Sequence, residues 1–486
     1  MLAVCKQLRR LTLPVGVVLA LSVAAGTAGA ARPLYLGLEI PNGTDPHITW
    51  ASDMAAATKV QYVRIVAEWA YIAPEDPANH AYRWGSLDAR VQLALDRGLK
   101  PYVTIYKAPY WAERPVGTPG DAGTRNPDPT AFGEFARALA LRYAGKVDTW
   151  EVWNEPNLLY FLTPQKTGAS WASPVLYRNL LNSFWTAVHA VNPSATIVAG
   201  ATAPFKRNNR QPGPLPFTRR VLCLSSTNRP IAGCTAKASF EAWSTHPYTA
   251  GGPTHHAIAS TDVSLGDLPE LRRVLSAGVR YGHVNHANSS IGFWVGEFSW
   301  DSNLPDPKAV PSGLHKRWVS EALYRAWRAG VSNFIWFTVR DRSIRTMPYQ
   351  SGFWYCGRAT RGDDGTCDKD ASNWASSVRK PSWRAFYFPF VAYASRGRIT
   401  VWGRTPGATP GVKVSIERRT SSGWRRMTTV DPSPYGIFSK VFRSSLTRGY
   451  VRAQVISTGV KSVRFSLVRP RDRVVAPFGC GGSIPC

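Results

Sequence analysis

Short runs of apolar and β-branched residues alternate along the chain with longer stretches in which apolar residues recur at helical spacing. Eight runs between Leu34 and Tyr393 carry the first pattern: LYLGLEI, VQYVRIV, KPYVTIY, VDTWEVWNE, ATIVAG, SFEAWSTH, IGFWVGE and VSNFIWF. Their length and their Val, Ile and aromatic content predict strands. Between them, SLDARVQLALDRGL, TAFGEFARALALRYAG, SPVLYRNLLNSFWTAVHAV, LPELRRVLSAGVRYG and HKRWVSEALYRAWRAG predict helices with one apolar face. Strand ends near Glu155, Gly200, His246, Glu297 and Phe337 recur every ~45 residues, which suits βα units closing into a (β/α)8 TIM barrel. An open doubly wound sheet is the alternative, and no glycine-rich phosphate loop after the first strand supports it.

After SWRAFYFPFVAYA the pattern changes. RITVWGR, GVKVSIERR, WRRMTTV, GIFSKVF, YVRAQVIS and VRFSLV are short alternating runs separated by the turn signals TPGATPG, DPSPYG and LTRG. They predict a small all-β sandwich over 396–469, following an α/β barrel over 31–395 and followed by a tail over 470–486. At the other end, Lys6, Arg9 and Arg10 precede LTLPVGVVLALSVAA and the small-residue stretch GTAGAA. Basic, apolar and small-residue segments in that order predict a secretory signal peptide over 1–30, with an uncleaved anchor as the alternative. No later segment is apolar and long enough to predict a membrane span, so no membrane association is expected after cleavage.

Export changes how the cysteines are read. Cys5 lies in the leader, and the other six fall in close pairs: Cys223 with Cys234, Cys356 with Cys367, and Cys480 with Cys486. Six cysteines allow fifteen connectivities, and short spacing in an oxidising compartment favours three local disulfides. No C-x-x-C or matching histidine pair predicts zinc. The formal charge of +28, reduced by three without the leader, would favour anionic polymers as partners, but arginine is spread along the chain instead of gathered in a block, so an arginine-biased proteome explains it at least as well. No aromatic and basic interleaving on a recognised module predicts nucleic-acid binding.

Candidate chemistry begins in TWEVWNEPNLL, where an apolar strand ends on a carboxylate. Burying a carboxylate is costly, so Glu155 is either a structural ion pair or an acid kept for chemistry. Glu297 ends the seventh predicted strand, and in a barrel of this kind both positions face the mouth formed by the βα loops. Two carboxylates about 5 Å apart there meet the requirement for retaining glycoside hydrolysis, one protonating the leaving oxygen and the other attacking the anomeric carbon. Glu151, deeper on the fourth strand, reads as structural.

WEVWNEPNLL resembles the fourth-strand signature of the clan A glycoside hydrolases, and FWVGEFSWDS is similar to their seventh-strand segment. The run from VQYVRIV to PYVTI follows the clan's second and third units, with families 39 and 5 nearest. The resemblance covers nearly the whole barrel. It implies Glu155 as acid/base, Glu297 as nucleophile, Asn154 as a partner of the sugar 2-hydroxyl, and Arg64 holding Glu297 ionised. It also implies that His246 and Tyr248 flank the carboxylates, with the Tyr hydroxyl donating to Glu297, and that Trp336 offers a flat face to the sugar ring. The plainer readings are that Arg64 neutralises Glu151, that His246 is a satisfied core histidine and that Trp336 is packing.

Other features carry less. RGDDGTCDKD is acidic but lacks the alternating spacing of a calcium loop, and His255 and His256 sit in a Gly/Pro loop. Lys206, Arg207, Arg210, Arg340, Arg342 and Arg345 fall on loops after the fifth and eighth strands, where an acidic glycan would be read, with solvated loop charge as the default reading. The expected function is therefore a secreted retaining β-glycoside hydrolase, needing neither metal nor cofactor, acting on polysaccharide or oligosaccharide. The alternative is a catalytically silent glycan-binding cell-surface protein.

Overall fold

The computed structural model describes residues 32–475 except 43–46, 79, 207, 289, 344–349, 357–373 and 472. The expected leader, the acidic segment RGDDGTCDKD, Arg207, Arg345, Cys367, Cys480 and Cys486 lie outside the described residues.

Eight strands close a barrel: β1 (Tyr35–Glu39), β2 (Tyr62–Glu68), β3 (Lys100–Tyr106), β4 (Thr149–Val152), β5 (Thr196–Thr202), β6 (Ala242–Thr245), β7 (Gly292–Phe298) and β8 (Asn333–Trp336). Every neighbouring pair is parallel, and β1 closes on β8 with Tyr35 opposite Asn333. Each strand of a parallel barrel is covered by helices outside and side chains inside, which is why these runs are nearly continuously apolar. The long helices are α1 (His47–Ala57), α2 (Gly85–Leu95), α3 (Pro129–Arg142), α4 (Ser173–His189), α5 (Pro214–Val221), α6 (Leu268–Arg280) and α7 (Ser312–Ala329). Local chemistry sets their ends: Asp128 accepts from Thr130 N and Ala131 N at the start of α3, and α7 stops at Gly330, whose φ of 98° is the left-handed C-terminal turn glycine adopts without strain.

The inner positions follow the period of two. Tyr102, Val198, Ala242, Trp294 and Ile335 form a closed apolar cluster with Tyr62 packed against it. Two residues further along β2, β3, β4 and β6 come Arg64, Thr104, Glu151 and Ser244, all buried. The barrel thus has an apolar floor under a polar layer.

The sandwich pairs three strands with four: β9 (Phe390–Ser395), β10 (Arg398–Arg404) and β13 (Ile437–Arg443) against β11 (Val414–Thr420), β12 (Gly423–Val430), β14 (Tyr450–Val455) and β15 (Phe465–Ser466). FVAYAS, read from sequence as the end of the barrel segment, is the sandwich's first strand, because it pairs antiparallel with Arg398–Arg404. Trp402 is fully buried, its ring 5.4 Å from Tyr324 and 5.6 Å from Trp327 on α7. Arg404 donates to Gln61, just before β2, at 2.6 Å, and Tyr435 meets Tyr35 at the start of β1. These contacts lie toward the N-terminal ends of the strands, away from the mouth. Among the described residues no helix is long and apolar enough to cross a membrane.

Trp402→Ala is expected to cost ~3–5 kcal/mol, the usual range for deleting a buried aromatic. Calorimetry should show a lower melting temperature with barrel and sandwich transitions separating; an unchanged single transition would show that the two units do not stabilise each other through this ring.

Candidate active site

Arg64 projects from β2 into the middle of the barrel and meets side chains from five segments. Its Nη1 lies 2.5 Å from Glu39 Oε2 and 3.3 Å from Glu297 Oε2. Its Nη2 donates to Asn154 Oδ1 at 3.0 Å and lies 3.0 Å from Glu151 Oε2, while Nε donates to Thr104 Oγ1 at 2.9 Å. Glu151 is further held by the Tyr102 hydroxyl at 2.5 Å and Thr104 at 2.7 Å. Burial alone would raise the Glu151 pKa; Arg64 first, then His246 and the two hydroxyl donors, outweigh it, and the pKa is lowered. Glu151 is therefore an anion fixed beneath the mouth.

The sequence predicts a strand running to Glu155, but β4 ends at Val152. Trp153 and Glu155 both take left-handed backbone conformations, with φ of 70° and 42°, which side-chain-bearing residues seldom adopt. Neighbours hold the turn in place. Trp153 N donates to Ile105 O at 2.7 Å, the Trp153 indole donates to Phe161 O at 2.8 Å, and Glu155 N donates to Ala201 O at 2.9 Å. Ala201 lies in a register shift between β5 and β6, so the bulge of one strand anchors the backbone of Glu155 on the next turn.

A second irregularity, between Val295 and Phe298, falls on Glu297. Strict alternation from Trp294 and Gly296 would point Glu297 outward, and the shift in register re-aims it. Its Oε1 accepts from the Tyr248 hydroxyl at 2.9 Å. Gly296 has no room for a side chain: a Cβ there would lie 2.3 Å from Ser244 Oγ and 2.9 Å from Glu151 Oε1.

His246 Nδ1 lies 3.1 Å from Glu155 Oε1 and 3.3 Å from Glu297 Oε2. Those two legs laid end to end place these two carboxylate oxygens at most about 6.4 Å apart. Burial disfavours the imidazolium, but Glu297 and Glu155 outweigh it and the His246 pKa is raised.

The structure thus gathers Asn154, Glu155, Arg64, His246, Tyr248 and Glu297 around one point. Arg64 contacts both Glu297 and Glu151. Trp336 requires a correction: it is fully buried, stacked on Phe353 at 4.9 Å with its indole donating to Ser351 O, and offers no open face to a ring. Arg340 is likewise buried, over the Trp374 ring at 4.4 Å and bonded to Ser377, so it is not an open reader of glycan charge. Cys223 and Cys234 are joined, and Cys356 is disulfide-bonded.

Sequence reading missed Glu39, although LYLGLEI carries a carboxylate near its end just as the fourth and seventh runs do. Burial pushes the Glu39 pKa up to about 7; Arg64 pulls against this and Glu297 adds to it. Glu39, Glu151, Glu155 and Glu297 lie around one guanidinium and one imidazole, and burial drives Glu39 toward holding a proton.

No family model matches the chain. A solved family 39 glycoside hydrolase from the gut symbiont Bacteroides cellulosilyticus WH2 superposes with a TM-score of 0.53 at 15% identity, over 85% of this chain and 82% of that one. The chain has the fold of that enzyme. A family 30 endoxylanase from Clostridium papyrosolvens C71 aligns at 10% identity over 85% of this chain and 94% of its own, with a TM-score of 0.43. Among curated proteins, a beta-glucosidase-like chloroplastic protein of Oryza sativa subsp. japonica is 27% identical over 123 residues. That match spans 23% of this chain and only 18% of the rice protein's length.

Glu39 gives a test through stability. A carboxyl whose folded pKa is raised binds its proton more tightly in the folded state, so its contribution is fully present below 4.5 and is lost as pH rises through about 7. Thermal melts of the wild type and Glu39→Gln between pH 4 and 8 should diverge across that window, the variant gaining relative stability as pH rises. Parallel curves would show that Glu39 titrates normally.

Proposed function

We propose that the protein is a retaining β-glycoside hydrolase, cleaving extracellular or cell-wall polysaccharide or oligosaccharide by double displacement. The observation that carries this reading is the approach of Glu155 and Glu297 to one nitrogen of His246 at the mouth of the barrel. Glu297 attacks the anomeric carbon while Glu155 protonates the departing glycosidic oxygen. Water, deprotonated by Glu155, then attacks the anomeric carbon of the glycosyl-enzyme, breaking its ester bond to Glu297 and releasing the sugar. Tyr248 and Arg64 hold the two oxygens of Glu297, fixing the attacking carboxylate. Asn154, whose Oδ1 accepts from Arg64, presents its amide N–H groups to the sugar 2-hydroxyl. The order of basic, apolar and small residues at 1–30, together with the Cys223–Cys234 bridge, supports secretion.

Glu297→Ala is expected to abolish turnover of every glycoside, since no covalent intermediate forms. Glu155→Ala should retain the first step for aryl glycosides with acidic leaving groups and lose ~10²–10⁴ in rate on natural linkages. Azide should rescue the Glu155 variant and give a β-glycosyl azide. Rescue of Glu297→Ala to an α-product, with Glu155→Ala dead on activated substrates, would exchange the two roles. Full activity in both variants would remove the reading.

A further inference from the structure

The outer flank of α7 carries a line of recesses in which cations outnumber their counter-charges. The first, of about 370 Å³, is lined by Arg272, Arg325, Arg328 and His256 and, among the described residues, by no carboxylate, although His256 Nδ1 lies 2.6 Å from Asp267 Oδ1 outside the lining. The next, of about 200 Å³, shares Pro253, Thr254 and Arg325 with it and adds Arg469 and Arg471 from the segment after the sandwich. A third, of about 570 Å³, shares Arg317 and Arg469 with the second and continues past Lys316 to Arg464 and Tyr450. Among the described residues the one acid lining these recesses, Glu321, is already taken by Arg317 at 3.1 Å and the Tyr393 hydroxyl at 3.1 Å.

Arg272, Arg325 and Arg328 have no carboxylate partner among the described residues, and the buried Nε of Arg325 has no hydrogen-bond partner. Arg272 and Arg32 both crowd Gly330, their nitrogens 3.7 and 3.3 Å from where its Cβ would stand. Burial, and then the Arg32 charge, lower the Arg272 pKa. Gathering like charges on a half-buried flank weakens a fold, and a bound anion offsets that cost. Guanidinium groups in this setting suit carboxylates, which they bind bidentately.

We propose that this groove binds the carboxylate-bearing residues of an acidic polysaccharide. The assignment rests on the glycoside hydrolase reading, because His256 lines both the arginine recess and a recess of about 180 Å³ that reaches Tyr248, the donor to Glu297. The recess of Arg272, Arg325 and Arg328 lies toward the end of α7 away from the mouth, so it would hold a distant part of a bound chain and not the sugar being cleaved. Single-stranded nucleic acid fits less well, since its bases stack on a series of exposed rings. Here Tyr450, beneath Arg464 at 4.9 Å, is the one exposed ring among the described lining residues, Trp318 and Phe465 being buried and Tyr393 partly so.

Binding of polygalacturonate, dextran and a single-stranded DNA oligonucleotide by the full chain in a Glu297→Ala background tests this. Arg325→Gln/Arg328→Gln should weaken polygalacturonate binding about 10-fold or more, the worth of one or two charge-assisted hydrogen bonds. The same charge loss on the sandwich, Arg425→Gln/Arg426→Gln, should change it less than about twofold by that measure. Dextran should not bind, and any DNA binding should be equally weak in both double variants. Equal losses from the two double variants, dextran binding comparable to polygalacturonate, or a DNA loss matching the polygalacturonate loss would each overturn the proposal. On an otherwise wild-type chain, the groove variant should keep its rate on small aryl glycosides. If the wild type cleaves no glycoside while the groove variant still loses polygalacturonate, the hydrolase reading fails and the groove stands.

Discussion

One buried guanidinium organises the upper half of the barrel. Arg64 touches Glu39 from β1, Thr104 from β3, Glu151 from β4, Asn154 from the turn after it and Glu297 from β7. Such a cation is stable in a barrel only because carboxylates surround it, and they are stable only because of it; removing one member of a buried ion cluster typically costs ~3–5 kcal/mol. The same contacts that stabilise the fold fix the distance between the two glutamates proposed to do the chemistry. Stability and geometry here are one set of hydrogen bonds.

Below that layer lies an apolar floor, and at the mouth lies strain. Left-handed backbone at Trp153 and Glu155, each costing on the order of 1–3 kcal/mol, persists because β3, β5 and the Phe161 carbonyl hold the turn from three directions. The sandwich contributes from the far side, locking α7 through Trp402 and leaving the mouth uncovered. A rigid base with strained backbone at the mouth suits the proposed acid and nucleophile, which would have to keep their spacing as a sugar passes between them.

Periodicity made the barrel and the sandwich legible, since strand and helix spacing are local properties. Glu155 and Glu297 stood out because a carboxylate closing an apolar strand is anomalous and because their segments resemble the clan A signatures, and the structure brings both against His246. What failed was direction and company. Alternation cannot foresee the register shifts that re-aim Glu297 and anchor Glu155, because those depend on the neighbouring strand. Trp336 looked like a platform because nothing local says that Phe353 covers it. Glu39 was overlooked because its importance comes from Arg64 and Glu297, which are far from it in sequence. Arg340 looked like solvated charge until Trp374 was placed beneath it.

The central claim is that this cluster holds Glu297 as a nucleophile that becomes covalently glycosylated. Incubation with a panel of activated 2-deoxy-2-fluoro-β-glycosyl fluorides, followed by mass spectrometry of the intact chain and its peptides, tests it directly. The expected result is a mass increase of one fluoroglycosyl unit, located in the peptide bearing Glu297 and lost in Glu297→Ala. A label on Glu155 or Glu39, or a wild-type enzyme that releases product of inverted configuration, would contradict the account.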